Sequence, residues 1–131
     1  MTSGTTFRSE ARNAEAIASF LLALPEALID VGAPDDWIGC YGYGCGIHSD
    51  LWYKPMSLKS RHLGAFLSQS TEREIFRAGW SDMNLETVDG RLSIEISHEG
   101  FVRLGGSDQT IVQSLERHSA LTSVLLAGPK A

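Results

Sequence analysis

Cysteine is scarce in this chain of 131 residues, and the two present, Cys40 and Cys45, are too few for a disulfide framework. Long apolar runs are also missing, because no stretch approaches the roughly 18 apolar residues that a membrane-spanning helix needs. The apolar run over residues 16–24 follows Glu10 and Glu15, where a signal peptide would carry positive charge. We therefore expect a cytoplasmic protein with reduced thiols and no membrane partner.

Basic residues are in the minority. The chain has 11 Lys and Arg against 16 Asp and Glu, which gives a formal net charge of −5 and a pI of about 5.3. Nucleic-acid binding needs clustered positive charge, so this balance argues against nucleic acid and is compatible with a basic protein partner. A hydrophobic content of 43% is typical of a globular chain. We predict a flexible N-terminus over residues 1–8 and a single α+β domain over residues 9–131.

The most specific pattern runs from Met83 to Leu104 and predicts a three-stranded antiparallel meander. Asp89-Gly90 between two alternating runs predicts a two-residue type I′ turn, and His98-Glu99-Gly100 predicts a three-residue turn with its glycine in the left-handed region. Together the turns place the apolar residues on one face, which fixes the register. The expected cross-strand pairs are Thr87 with Leu92, Leu85 with Ile94, Met83 with Ile96, Ile96 with Val102, Ile94 with Leu104, and Glu95 with Arg103.

The opposite face of the meander is polar and carries Glu86 and Glu95 as near diagonal neighbours. Two carboxylates in this arrangement could perform acid–base chemistry if a helix covered them. A solvated sheet face, with Glu95 paired to Arg103, explains the same residues without a catalytic role, and we favour it.

Helical periodicity predicts the elements that cover the apolar face. Ser9 can cap a helix that runs to about Leu24, and residues 25–31 form either its kinked extension beyond Pro25 or a second short helix. Ser57 can cap a middle helix over residues 58–69, and Ser107 or Asp108 can cap a C-terminal helix. Residues 73–80 could be a helix or a strand. The predicted fold is therefore α+β, with an antiparallel meander of three to five strands packed against N-terminal, middle and C-terminal helices.

A stretch rich in glycine and aromatic residues, 37–53, is the best candidate for a functional site. The strict alternation over residues 41–47 predicts a strand with one face left bare by Gly42, Gly44 and Gly46, where a backbone or a ligand could approach closely. Trp and Tyr are enriched at the centres of protein interfaces. The candidate binding residues are Trp37, Tyr41, Tyr43, His48, Asp50, Trp52 and Tyr53.

Other chemistry in this stretch is less well supported. Cys40, Cys45 and His48 could bind zinc, but their spacing is unusual and no second ligand pair follows. Either cysteine could be a nucleophile activated by His48, although proximity in sequence is poor support for the required geometry. The glycine spacing does not match a dinucleotide-binding loop. We predict no metal, no cofactor and no catalytic residue.

Two functional hypotheses remain. The first is a small, acidic, non-enzymatic binding protein of the inhibitor, immunity or adaptor type, which engages a protein through residues 37–53. The alternative is a small-molecule-binding domain or small enzyme with a pocket between sheet and helices, using Cys, His or Glu side chains. The first predicts exposed aromatic residues, whereas the second predicts a concave pocket with converging polar groups. A homodimer through the glycine strand is a third possibility.

Overall fold

The computed structural model describes the backbone of residues 5–8 and 14–125 and the side chains of residues 14–122. In this part of the chain, four α-helices and six strands form an α+β fold. The helices are α1 (Ala14–Asp30), α2 (Leu63–Glu72), α3 (Gln109–Glu116) and α4 (Ser119–Leu125). The strands are β1 (Thr5–Arg8), β2 (Asp36–Tyr41), β3 (Met56–Lys59), β4 (Met83–Thr87), β5 (Ser93–Ile96) and β6 (Val102–Gly106).

The strands form one antiparallel sheet in the order β1-β6-β5-β4-β2-β3. The predicted α+β class is confirmed, with α1 before β2, α2 between β3 and β4, and α3 and α4 after β6. The prediction of three to five strands did not include β1, which pairs with β6 and lies in the segment that we expected to be flexible. The meander β4-β5-β6 forms the middle of the sheet, and β2 extends it on the β4 side.

The predicted register of the meander is confirmed. Met83 lies opposite Ile96, Leu85 opposite Ile94, and Ile96 opposite Val102. The second turn is also as predicted, since Gly100 has a φ of 95° and the Ser97 amide donates to the Phe101 carbonyl.

The first turn of the meander differs from the predicted type I′ turn. Gly90 has a positive φ of 79° but Asp89 does not, and the Gly90 amide donates to the Thr87 carbonyl at 3.0 Å. The turn is therefore longer than two residues. The pairing of Thr87 with Leu92 survives because the Thr87 amide donates to the Leu92 carbonyl at 2.9 Å.

The structure decides one open helix prediction and corrects two others. Helix α1 continues through Pro25 to Asp30, which selects the extension over a second helix. The middle helix begins at Leu63 rather than Leu58, because Leu58 pairs with Trp37 in the sheet and a 3₁₀ turn over residues 60–62 follows. Residues 73–80 are neither helix nor strand but a chain of turns. Ser9, the expected cap of the first helix, lies outside the described residues.

The predicted C-terminal helix is divided into two. Asp108 caps α3 as expected, since its side chain accepts from the Ile111 amide at 3.1 Å. Helix α3 ends at Glu116 with Arg117 as its C-cap, and α4 begins at Ser119. His118, between them, lies with its Nε2 2.9 Å from the Asp30 carboxylate and so connects this corner to the end of α1.

One core lies between the helices and the apolar face of the sheet. Buried residues of α1, α2 and α3 pack with the inward residues of β2, β4, β5 and β6. The largest fully buried side chain is Trp37 of β2. On the opposite face, Arg103 donates to Glu95 at 2.7 Å, as the predicted charge pair requires. Glu86 is exposed on this face, so the two carboxylates lie on the polar side of the sheet.

Candidate functional site

Two long loops lie against each other at one end of the sheet. The first, residues 42–55, follows β2, and the second, residues 73–82, precedes β4. Tyr41 and Met83 are opposite each other where the strands meet, so the loops begin side by side. The Asp82 amide donates to the Tyr43 carbonyl at 2.8 Å, and the Gly46 amide donates to the Ile75 carbonyl at 2.7 Å. The paired backbones give this end of the molecule a fixed shape although neither loop is regular.

The glycines of the first loop permit this close approach. A Cβ atom at Gly44, which has a φ of +81°, would lie 2.2 Å from the Trp80 carbonyl oxygen. A Cβ atom at Gly46 would lie 2.6 Å from the Glu74 carbonyl oxygen. The prediction of a strand over residues 41–47 is therefore wrong beyond Tyr41, where β2 ends. Gly44 and Gly46 face a neighbouring backbone, one of the two partners that the sequence left open, whereas Gly42 faces the side chains of Tyr53 and Asp82.

Tyr43 is the centre of a group of exposed and partly exposed rings. Its own ring is 53% exposed and lies 5.5 Å from the Trp52 ring and 5.0 Å from the His98 ring, measured between centroids. The Trp52 indole donates to the Cys45 carbonyl at 3.2 Å. Asp82 orients His98, because one carboxylate oxygen lies 2.6 Å from its amide nitrogen and 2.9 Å from its Nδ1. Hydrogen bonds thus hold the Trp52 and His98 rings in place beside Tyr43.

Tyr53 completes the group from a strained position. It has a positive φ of 67°, which costs a residue other than glycine roughly 1–3 kcal/mol. The strain is offset by two hydrogen bonds, since its amide donates to the Tyr41 carbonyl at 2.6 Å and its hydroxyl accepts from the Tyr43 amide at 3.1 Å. The ring itself remains 55% exposed. The fold therefore maintains a strained backbone while it leaves this ring in solvent.

Trp80 adjoins the group through the second loop. Its carbonyl lies against Gly44, its side chain is 65% exposed, and the Arg77 guanidinium lies 5.1 Å from its ring centroid. We refer to the exposed and partly exposed rings at this end of the molecule as the aromatic surface. Its members are Tyr43, Trp52, Tyr53, Trp80 and His98.

Trp37 does not belong to this surface, which corrects the prediction that it binds a partner. It is fully buried, and its indole donates to the Pro34 carbonyl at 2.8 Å. Tyr41 is half-buried and has a structural contact as well. Its ring stacks on Phe66 with centroids 5.5 Å apart, and its hydroxyl bonds to that of Ser70, so it joins β2 to α2. Burial raises the pKa of the Tyr41 hydroxyl.

His48 and Asp50 lie in an exposed 3₁₀ turn within the first loop. The His48 Nδ1 accepts from the Asp50 amide at 3.2 Å and lies 3.5 Å from the Asp50 carboxylate. Their side chains are 73% and 87% exposed. The pair forms a polar tip of the loop. His48 and Asp50 contact each other, and neither is hydrogen-bonded to a cysteine.

The cysteines have the properties of packed residues. Cys45 is buried and its thiol donates to the Asp82 carbonyl at 3.3 Å, whereas Cys40 is half-buried beside Asn84. Burial raises the pKa of both thiols. A nucleophile needs the opposite shift, so a neutral thiol is expected near neutral pH. Among residues whose side chains are described, no group of three or more His, Cys, Asp or Glu could hold a metal ion.

The rate of alkylation measures the reactivity of the Cys45 thiol directly. We expect iodoacetamide near neutral pH to modify Cys45 of the folded protein at least about tenfold more slowly than Cys45 of the same protein in urea. The protected, protonated thiol is the reason, and peptide mass spectrometry over time gives the two rates. An equal or faster rate in the folded protein would mean an activated thiol and would favour the small-enzyme hypothesis.

Sequence reasoning missed Trp80, His98 and Asp82. The turn that holds His98 was predicted, but its position beside Tyr43 follows from the pairing of β2 with β4, which joins segments far apart in sequence. Trp80 lay in the segment whose secondary structure was left open. A cue was available in the three alternating glycines, because glycine in such a run indicates close approach of another backbone.

Comparisons with protein-family models, with curated proteins and with solved structures find no match to this chain. In the part of the chain that the structure describes, none of the helices combines the length and apolar character needed to cross a bilayer.

Proposed function

We propose that this chain is a small binding protein of the inhibitor, immunity or adaptor type that engages a protein partner through the aromatic surface. The observation that carries the proposal is that Tyr43, Tyr53 and Trp80 are more than half exposed on hydrogen-bonded loops. Apolar rings are ordinarily withdrawn from water, and a group of them left exposed is typical of an interaction site.

The geometry favours binding by lowering its entropic cost. Each side chain that becomes fixed at an interface costs about 0.5–1.5 kcal/mol. Tyr43 is already placed between Trp52 and His98, and His98 is oriented by Asp82, so little freedom remains to be lost. Tyrosine and tryptophan also dominate the few residues that supply most binding energy. His48 and Asp50 would then form part of the polar rim.

The charge of the chain suggests the chemistry of the partner. A net charge of −5 favours association with a basic protein and disfavours nucleic acid. We place the protein in the cytoplasm, where its two thiols remain reduced. The alternative of a catalytic site receives less support, because Cys45 and His48 do not meet and Glu95 is bonded to Arg103.

Native mass spectrometry tests the proposal. The tagged chain is purified gently from its own cells as the unsubstituted protein and as the Tyr43→Ala and Trp80→Ala variants. We expect one polypeptide at fixed stoichiometry on the unsubstituted chain and at least about tenfold less of it on each variant, as loss of an interface hot spot implies. Val88→Ala is the control, since Val88 is 62% exposed at the first turn of the meander.

Three results would count against the proposal. A co-purifying polypeptide that both variants retain would place its binding site elsewhere. A small bound molecule without a polypeptide would favour the pocket hypothesis. A homodimer that Tyr43→Ala dissociates would make the aromatic surface an assembly surface of this chain.

A further inference from the structure

A second surface lies between α1 and α2, which run side by side and leave an apolar groove of about 370 Å³. One wall is formed by Ala18, Leu22 and Pro25 of α1, and the other includes Gly64 of α2. Phe76, which is 1% exposed, contributes to the lining. Most of the lining residues are apolar, and the exceptions are Ser68, Thr71 and Glu72 on α2. Water over the apolar part of the groove is poorly held and is readily displaced by an apolar side chain.

The groove continues onto an exposed apolar stripe of α1. Leu22 is 82% exposed and Ile29 is 71% exposed, the two highest values among the exposed large hydrophobic residues. They are seven positions apart, and residues at this spacing lie on the same face of a helix. Leu22 also lines the groove, so the stripe and the groove form one continuous apolar surface. Such a surface indicates an interaction site more strongly than scattered single residues do.

The charged residues on the two helices that form the groove have one sign. Helices α1 and α2 contain Glu15, Glu26, Asp30 and Glu72 and contain no Lys or Arg. Asp30 contacts His118 at the far end of α1, whereas Glu72 lines the groove itself. Positive charge near the groove comes from the loop after α2, where Arg73 follows Glu72 and Arg77 lies between the lining residues Phe76 and Ala78. An occupant would therefore meet apolar surface in the centre and negative charge along the helices.

We propose that this groove binds an amphipathic helix of a partner protein, with an apolar stripe flanked by Lys or Arg. A helix laid between two helices inserts side chains spaced at i, i+3, i+4 and i+7. Small residues at Ala18 and Gly64 leave room for them, since a Cβ atom at Gly64 would have Pro25 as its nearest neighbour, at 3.7 Å. The site is distinct from the aromatic surface and does not depend on the function proposed for it.

Two synthetic peptides test the proposal. Each has about 18 residues, five helical turns, with leucine at the stripe positions. One carries lysine beside the stripe and the other carries glutamate. Titration of each into the isotope-labelled full chain is followed by NMR. We expect the lysine peptide to bind at least about tenfold more tightly and to shift amides of α1 and α2.

Charge reversal supplies the matched comparison. In Glu26→Lys/Glu72→Lys the preference should move toward the glutamate peptide, because the flanks of the groove change sign. The control is Glu86→Lys/Glu116→Lys, which changes the net charge equally. Its two substitutions lie on the polar face of β4 and at the end of α3, away from the groove. It should keep the preference for the lysine peptide. Leu22→Lys should weaken binding of the lysine peptide at least about fivefold, because it removes the exposed apolar anchor.

Other results would overturn the proposal. Equal binding of the two peptides, no binding of either, or shifts confined to residues outside α1 and α2 would each reject a basic helix as the occupant. Binding of a fatty acid in the groove with neither peptide bound would assign it to an acyl chain. Shifts of α1 and α2 that grow with protein concentration alone would assign it to a second copy. Tyr43→Ala should leave peptide binding unchanged, so failure here is separable from failure of the aromatic surface.

Discussion

Replacement of Trp37 by alanine is expected to lower the free energy of unfolding by about 3–5 kcal/mol. Trp37 is fully buried in the core, where it lies between Leu58 and Thr87 of the neighbouring strands. The substitution leaves a cavity and removes the indole donor from the Pro34 carbonyl. A domain of this kind has a total stability of about 5–15 kcal/mol, so the loss should be evident in urea denaturation followed by circular dichroism.

Trp80→Ala is the comparison for this measurement. Trp80 is 65% exposed, and its contact with the Arg77 guanidinium is worth about 0.5–1 kcal/mol at an exposed site. The stability should therefore change by no more than about 1 kcal/mol. A small loss for Trp37→Ala as well would contradict its place in the core and would restore it as a candidate for binding.

The register of the meander could be predicted because several local features agree. The pairing of Leu85 with Ile94 and of Ile96 with Val102 on one apolar face is consistent with only one placement of the turns. Gly100 supports the same placement. The type of the first turn had little influence on the outcome. A longer turn reached the same pairs, since Thr87 and Leu92 still bond to each other.

The position of β3 could not be predicted in the same way. Leu58 directly follows Ser57, a residue that can cap a helix, and short apolar patterns do not distinguish helix from strand. The choice is made by the sheet, where Leu58 lies opposite Trp37 and the chain turns only after Lys59. Tertiary pairing thus overrides the local preference.

Only part of the candidate site could be predicted, and the rest was missed because it too depends on tertiary pairing. Composition identified the stretch that holds Tyr43, Trp52 and Tyr53, but composition does not report burial, and Trp37 was included although it faces the core. Burial follows from the face of β2 on which a residue lies. His98 joins the site through pairing between strands distant in sequence, and no local pattern contains that information.

Replacement of Gly44 by alanine is expected to destabilise the protein by about 2–4 kcal/mol and to abolish the binding that we propose for the aromatic surface. Two costs combine at this position. A φ of +81° is unfavourable for alanine, and the added Cβ atom would lie 2.2 Å from the Trp80 carbonyl oxygen. The two loops must then separate, which displaces Tyr43 and Trp80 together. Urea denaturation measures the first effect, and partner recovery measures the second.

Gly32→Ala separates the two costs. Gly32 has a similar φ of +74°, but a Cβ atom there would have no neighbour within 4 Å. This control should lose only the conformational term of roughly 1–2 kcal/mol and should keep its partner. An equal loss for the two variants would mean that the loops can move apart without cost. The rings of the aromatic surface would then not be held in place before binding, and the entropic argument for their role would fail.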